Sequence, residues 1–138
     1  MPDPRIDNLP VAAVMRTQIP ACTLRTPLSE ISRRMREEAV QSVVVASSGS
    51  DLVAGVVTEL DLLRALLDGQ AEGMAADVMS TDTPMTAGAA EPLAEVIARM
   101  QAEKVEMVII LDGQPERPVG VLTPRDVAAY LARTGVNS

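Results

Sequence analysis

The chain has no histidine, no phenylalanine and no tryptophan, one tyrosine (Tyr130) and one cysteine (Cys22). Without histidine, imidazole metal sites and His-based acid–base chemistry are excluded. A lone cysteine forms no internal disulfide, and no neighbour in the sequence marks Cys22 as activated, so it reads as a small buried residue. With almost no aromatic rings, a planar ligand would be gripped by aliphatic side chains rather than stacked. Positive charge is also scarce. Twelve basic against nineteen acidic residues leave a net charge of −7. That argues against a nucleic-acid-binding surface, which needs a basic face. It leaves open a local anion site at a helix N-terminus, where backbone N–H groups bind anions whatever the net charge. No apolar run reaches the ~18 residues that span a bilayer. Met1-Pro2-Asp3-Pro4-Arg5 lacks the apolar stretch of a signal peptide. A cytoplasmic protein with no membrane segment is the default expectation.

What the chain does have is apolar content, 47% over 138 residues, enough for one compact domain or an intimate pair of half-domains. The core must be built from Ala, Val, Leu, Ile and eight Met, the last acting as flexible filler and not as soft-metal ligands. The chain also says the same thing twice. Gly55-Val56-Val57-Thr58-Glu59-Leu60-Asp61 returns 65 positions later as Gly120-Val121-Leu122-Thr123-Pro124-Arg125-Asp126. Between Pro27 and Leu66, 13 of 40 positions are identical to their partner at that offset. Val14-Met15 matches Val78-Met79 at an offset of 64. Repeats of this length are structural units that bury their apolar faces on each other.

The order of elements repeats too. Three prolines and several polar residues make 1–10 a loose arm. Val11–Met15 suits one helical turn, and Ile19–Leu24 a short extended segment. Thr26 is a good N-cap and Pro27 a preorganised first helical residue. Leu28, Ile31 and Met35 then recur at helical spacing, with Arg33, Arg34, Arg36, Glu37 and Glu38 as a solvated face. Val43–Val45 and Val53–Val57 read as a hairpin about a turn at 47–51. Thr58 opens a helix with Leu62, Leu63, Leu66 and Leu67 on its inner side. Asp68 to Glu72 lacks the alternating carboxylates of a calcium loop. The second half runs through a helical turn at Ala75–Met79 and an extended Pro84–Thr86. A helix with Leu93, Val96 and Met100 inward follows, then strands at 108–111 and 119–122 and a helix at 124–133. Pro115 and Pro118 assign the second hairpin loop to irregular structure.

The one chemical motif is Gly-x-x-Thr-x-x-Asp, present in both halves. Thr-x-x-Asp before an apolar run is close to a helix capping box, in which the hydroxyl bonds a backbone N–H of the first turn and the carboxylate favours the positive end of the helix. The same geometry opens a hydroxyl and backbone donors to a phosphate, with a carboxylate able to accept both hydroxyls of a ribose. Capping and ligand binding are compatible, and duplication favours a functional share.

These residues resemble the cystathionine-β-synthase domain family, the CBS domains, as a tandem pair covering Val11 to Leu131. The resemblance is carried by Val14-Met15 and Val78-Met79, by the strand pairs Val40…Val45 and Val105…Ile110, and most of all by 55–61 and 120–126. It implies an α/β fold of two pseudo-symmetric β-α-β-β-α CBS repeats packed through their sheets, at 11–69 and 75–133, after an arm at 1–10 and about a linker at 70–74. It also implies a homodimer, and two clefts taking AMP, ADP, ATP or S-adenosylmethionine, in some members a cyclic dinucleotide or NAD. By the resemblance, one cleft combines Thr123 and Asp126 with Ile19, Pro20, Thr26, Val40, Gln41 and Ser42. The other combines Thr58 and Asp61 with Pro84, Met85, Glu91, Val105, Glu106 and Met107. Glu106 would repel phosphate, so the Thr123/Asp126 cleft is expected to bind better. The family's frequent second-strand proline is replaced by Val44 and Ile109. The expected role is a sensor that binds an adenosine ligand and alters an unidentified protein partner, with no cofactor required. The alternative is an interaction module with non-functional clefts. An enzyme is not expected, since no nucleophile–base pair or carboxylate cluster stands out.

Overall fold

The computed structural model describes residues 3–47, 52–81 and 84–134. The chain resolves into two compact units, one of Pro20–Pro84 and one in which Met85–Ser138 joins Met1–Ile19.

The Pro20–Pro84 unit contains β1 (Ala21–Thr23), α1 (Leu28–Glu38), β2 (Ser42–Ala46), β3 (Val53–Thr58), α2 (Glu59–Leu67) and α3 (Ala75–Val78). Its sheet runs β1-β2-β3, with β1 parallel and β3 antiparallel to β2. The near-continuous Val43-Val44-Val45 run is buried because β2 is the central strand. Leu28, Ile31 and Met35 of α1 pack with Val43, Val45, Val57 and Ala75 into one core. Cys22 belongs to that core; burial raises its thiol pKa, opposed by the nearby Arg34 charge.

The second unit repeats the pattern. It has a 3₁₀ turn at Val11–Ala13, β4 (Thr86–Gly88), α4 (Leu93–Glu103), β5 (Val108–Asp112), β6 (Arg117–Leu122) and α5 (Pro124–Thr134). Its sheet is β4-β5-β6 with the same parallel and antiparallel pairings. Leu93, Val96 and Met100 face inward as the spacing predicts, against Val108, Ile110 and Leu122.

The opening residues of each repeat therefore belong to the unit built by the other. Val11 and Val14 are buried beside Leu93, Val96 and Leu122. Ala75, Val78 and Met79 pack with the core around Val43. Two reciprocal backbone pairs fix these segments, Arg16 with Val121 and Ser80 with Val56. Here the duplicated glycines have a specific use. A Cβ on Gly120 would lie 2.6 Å from the Arg16 carbonyl oxygen, and one on Gly55 would lie 2.5 Å from that of Ser80. Only a residue without Cβ lets the segment lie against the strand.

Several expectations are corrected. The arm is not loose over its described residues: Ile6 and Leu9 pack on the core, and the Leu93 N–H donates to the Leu9 carbonyl at 2.7 Å. Thr26 does not cap α1. Pro27 is the N-cap, and the Thr26 hydroxyl instead accepts from the Thr23 N–H at 3.0 Å, closing the turn after β1. Arg34 is not a solvated side chain. It donates to the Ala21 carbonyl on the open side of β1 and to Glu30, and Arg99 repeats this with the Thr86 carbonyl and Glu91. Pro118 lies inside β6, at a register shift on an edge strand where its missing N–H costs nothing. Of the four α2 leucines expected inward, Leu63, Leu66 and Leu67 are exposed and Leu62 is inward. Ala65 is the buried residue and Leu62 packs beside it, whereas Leu63 is 57% and Leu67 88% exposed. Of the expected turn at 47–51, residues 48–51 lie outside the described residues.

Candidate ligand-binding site

Both Thr-x-x-Asp motifs fold as helix caps. In α2, Asp61 Oδ2 accepts from the Thr58 N–H at 2.8 Å and from the Thr58 hydroxyl at 3.0 Å, while the Asp61 N–H donates back to Thr58 Oγ1 at 3.2 Å. In α5 the corresponding distances are 3.0, 2.9 and 3.3 Å for Thr123 and Asp126. One oxygen of each carboxylate is thus committed to the cap. The other, Oδ1, is left to face a neighbour. These are the hydrogen bonds the capping interpretation requires, and such a cap contributes ~1 kcal/mol to the helix it starts.

The surroundings of the two caps differ. Asp61 Oδ1 lies 3.8 Å from Arg64, one turn along the same helix and 71% exposed. Asp126 Oδ1 lies 3.4 Å from Arg16, a residue 110 positions away whose side chain is only 24% exposed, with that of Asp126 at 10%. Sequence reasoning missed Arg16. Its signal was available: it follows the repeat-opening Val14-Met15, where the other copy has Ser80 after Val78-Met79.

The other candidate residues distribute as follows. Pro20, Thr26, Val40, Gln41 and Ser42 share a unit with Thr58 and Asp61, as does Pro84, while Ile19, Met85, Glu91, Val105, Glu106 and Met107 share theirs with Thr123 and Asp126. Ser42 and Thr58 are direct partners across β2 and β3, and the Glu59 N–H donates to the Gln41 carbonyl at 3.1 Å. The resemblance assigns Gln41 and Ser42 to the cleft of Thr123; within their own unit they adjoin Thr58. In the second copy Pro124 stands where Glu59 does and has no N–H to offer. A cleft of about 400 Å³ opens there, lined by Ile97, Met100, Lys104, Glu106, Pro124 and Val127 among others. Val40 and Val105 each follow a left-handed helix C-cap, Ala39 and Lys104, which turns the chain from helix to strand. The Glu91 carboxylate accepts from the Gly88 N–H at 2.6 Å, doing for the turn after β4 what Thr26 does after β1. Among the described residues no group of three potential ligands stands ready for a metal ion. No helix of the described residues is long and apolar enough to cross a membrane.

The CBS domain family profile matches residues 11–68 and 75–133. The chain belongs to the CBS domain family. Solved structures share the fold. An uncharacterized conserved protein from Pyrococcus horikoshii is 24% identical, with a TM-score of 0.79, over 96% of this chain and 98% of that one. The CBS domain pair of protein MJ0100, solved in complex with 5′-methylthioadenosine and S-adenosyl-L-methionine, is 17% identical with a TM-score of 0.77, over 91% and 98%. A CBS domain protein from Pyrobaculum aerophilum complexed with AMP is 20% identical with a TM-score of 0.75, over 91% and 99%. No curated protein matches the chain. This CBS pair is thus an α/β protein of two repeats and two three-stranded sheets.

Proposed function

We propose that this protein is a regulatory module that binds an adenosine-containing ligand of the AMP, ADP or ATP class, or S-adenosylmethionine, and passes its occupancy to a protein partner. The supporting observation is the pair of Thr–Asp caps, each at a strand-to-helix junction, in a fold whose relatives carry adenosine compounds. In this reading Thr58 and Asp61, and Thr123 and Asp126, contact the ribose and its substituents. Ile19, Pro20, Thr26, Val40, Ser42 and Met85 complete the apolar and hydrogen-bonding surroundings. Asp Oδ1 accepts from a ribose hydroxyl, and backbone N–H groups of the helix start face a phosphate. The ligand acts by binding one conformational state more tightly than another, which shifts their populations and alters the surface a partner meets. No catalytic step and no resident cofactor are assigned. A ligand of this class fits a cytoplasmic protein. Calorimetric titration with AMP, ATP and S-adenosylmethionine tests the assignment, with Asp61→Ala and Asp126→Ala as the variants that remove it.

A second reading, an interaction module whose caps serve only the helices, is favoured by one feature: both Asp Oδ2 atoms already accept two hydrogen bonds inside the chain. The exposed leucines of α2 fit either reading through self-association. Leu60, Leu63, Leu66 and Leu67 all stay open to solvent, on a helix whose buried contact is Ala65. Apolar surface of this kind is normally covered, most simply by a second copy. The protein should sediment as a homodimer, and Leu63→Glu with Leu67→Glu should weaken the dimer at least about a hundredfold, since two buried leucines contribute roughly 3 kcal/mol or more. A wild-type monomer at 100-micromolar-order concentrations would remove the self-association claim.

A further inference from the structure

The two caps share a backbone but differ in charge, and the difference is built from three separate places in the chain. At the first copy the opening turn of α2 carries two carboxylates, Glu59 and Asp61. The segment laid against β3 presents Ser80, and the compensating cation, Arg64, is mostly in solvent. At the second copy Pro124 and Arg125 replace Glu59 and Leu60, leaving Asp126 as the first-turn acid of α5. The segment laid against β6 presents Arg16, half-buried and paired with Asp126 Oδ1 at 3.4 Å. Arg16 is held there firmly. Its N–H donates to the Val121 carbonyl at 2.8 Å, its carbonyl accepts from the Val121 N–H at 2.9 Å, and Gly120 provides the space for that approach. Lys104 and Glu106, at the adjoining helix-to-strand turn, carry opposite charges and leave the balance unchanged.

We propose that Arg16 is the specificity-determining residue of the Asp126 site, making it select a phosphorylated nucleoside over the neutral nucleoside. This rests on the proposed function of the caps. A ligand whose ribose reaches Asp126 Oδ1 comes beside the guanidinium already facing that oxygen. A phosphate on such a ligand meets a cation with several planar donors and a carboxylate whose charge is matched. At Asp61 the same phosphate meets two acidic side chains, a serine and an arginine, Arg64, that is mostly in solvent. A nucleoside without phosphate gains nothing from Arg16.

The experiment is calorimetric titration of the full chain with AMP and with adenosine, for wild type, Arg16→Gln and Arg16→Lys, with melting curves for each. Arg16→Gln should weaken AMP about tenfold, one charge-assisted contact, while changing adenosine by about twofold or less. Arg16→Lys should restore AMP to within about threefold of wild type, because it keeps the charge and loses the fork. Equal weakening of both compounds would mean that Arg16 only positions Asp126, and no change in either would mean that it does not touch the ligand; each overturns the proposal while leaving the reading of the caps as adenosine-ligand sites standing. Wild-type protein that binds neither compound would overturn the proposal, and failure of ATP and S-adenosylmethionine as well would sink the functional reading beneath it.

Discussion

Gly120→Ala should lower the unfolding free energy by about 3 kcal/mol, although glycine-to-alanine changes at unstrained sites commonly stabilise by 0.4–1 kcal/mol. The new Cβ would sit 2.6 Å from the Arg16 carbonyl oxygen and 2.9 Å from Met15 Sδ. The sulfur can move. The carbonyl cannot, because it accepts from the Val121 N–H while the Arg16 N–H donates to the Val121 carbonyl. Relief therefore means lifting the segment, with loss of two backbone hydrogen bonds at ~1 kcal/mol each and overpacking strain of about 1–3 kcal/mol. Gly55→Ala should behave alike, since its Cβ would lie 2.5 Å from the Ser80 carbonyl oxygen. Gly88→Ala is the control: the nearest atom, on Glu91, would be 3.5 Å away, an ordinary contact. Urea unfolding of the three variants reads this out directly. Wild-type stability in Gly120→Ala would mean that the segment does not lie against β6.

Removing residues 1–16 should unfold the unit of Met85–Ser138 while leaving Pro20–Pro84 folded. The deletion takes away Val11 and Val14 from the core around Leu93, the partly buried Ile6, Leu9 and Met15, and the Leu9 carbonyl that accepts from the Leu93 N–H. Two buried valines alone contribute roughly 3 kcal/mol or more, and the whole stability of a small domain is only about 5–15 kcal/mol. The other unit is one continuous stretch, and its core cluster contains none of those residues. Amide hydrogen exchange would show it: β4, β5 and β6 lose protection and β1, β2 and β3 keep theirs. Full protection of β4–β6 in the truncated chain would contradict the assignment of the opening segment to that core.

The repeated elements were legible because each rests on local pattern. The Leu28, Ile31, Met35 and Leu93, Val96, Met100 spacings name the inner faces of α1 and α4, and the valine runs name the central strands. The caps were legible for the same reason, since a hydroxyl and a carboxylate three residues apart before an apolar run close a ring within one turn of chain. What the pattern cannot carry is pairing between distant segments. Nothing local in Val14-Met15 says that it lies against Gly120, and so Arg16 went unnoticed beside Asp126. Composition also misled. Leucines at helical spacing in α2 read as core, yet a nine-residue helix on a three-stranded sheet turns only part of its circumference inward, and Ala65 and Leu62 fill it. Thr26 followed by proline reads as a cap, but the same hydroxyl reaches the Thr23 N–H across a tight turn, and the cap position falls to Pro27. Arg34 reads from the sequence as solvated, and Arg99, its identical counterpart in the second repeat, drew no reading; their shared task is to satisfy a carbonyl on an open strand edge.

The central claim, that the Thr–Asp caps are adenosine-ligand sites, is tested most directly by titrating AMP, ATP and S-adenosylmethionine into the wild-type protein, Asp61→Ala and Asp126→Ala in a calorimeter. The account predicts saturable binding of at least one compound to wild type, lost in Asp126→Ala and retained in Asp61→Ala, with each variant still folded. Binding of none of the three to the folded wild-type protein, or binding untouched by both substitutions, would contradict it.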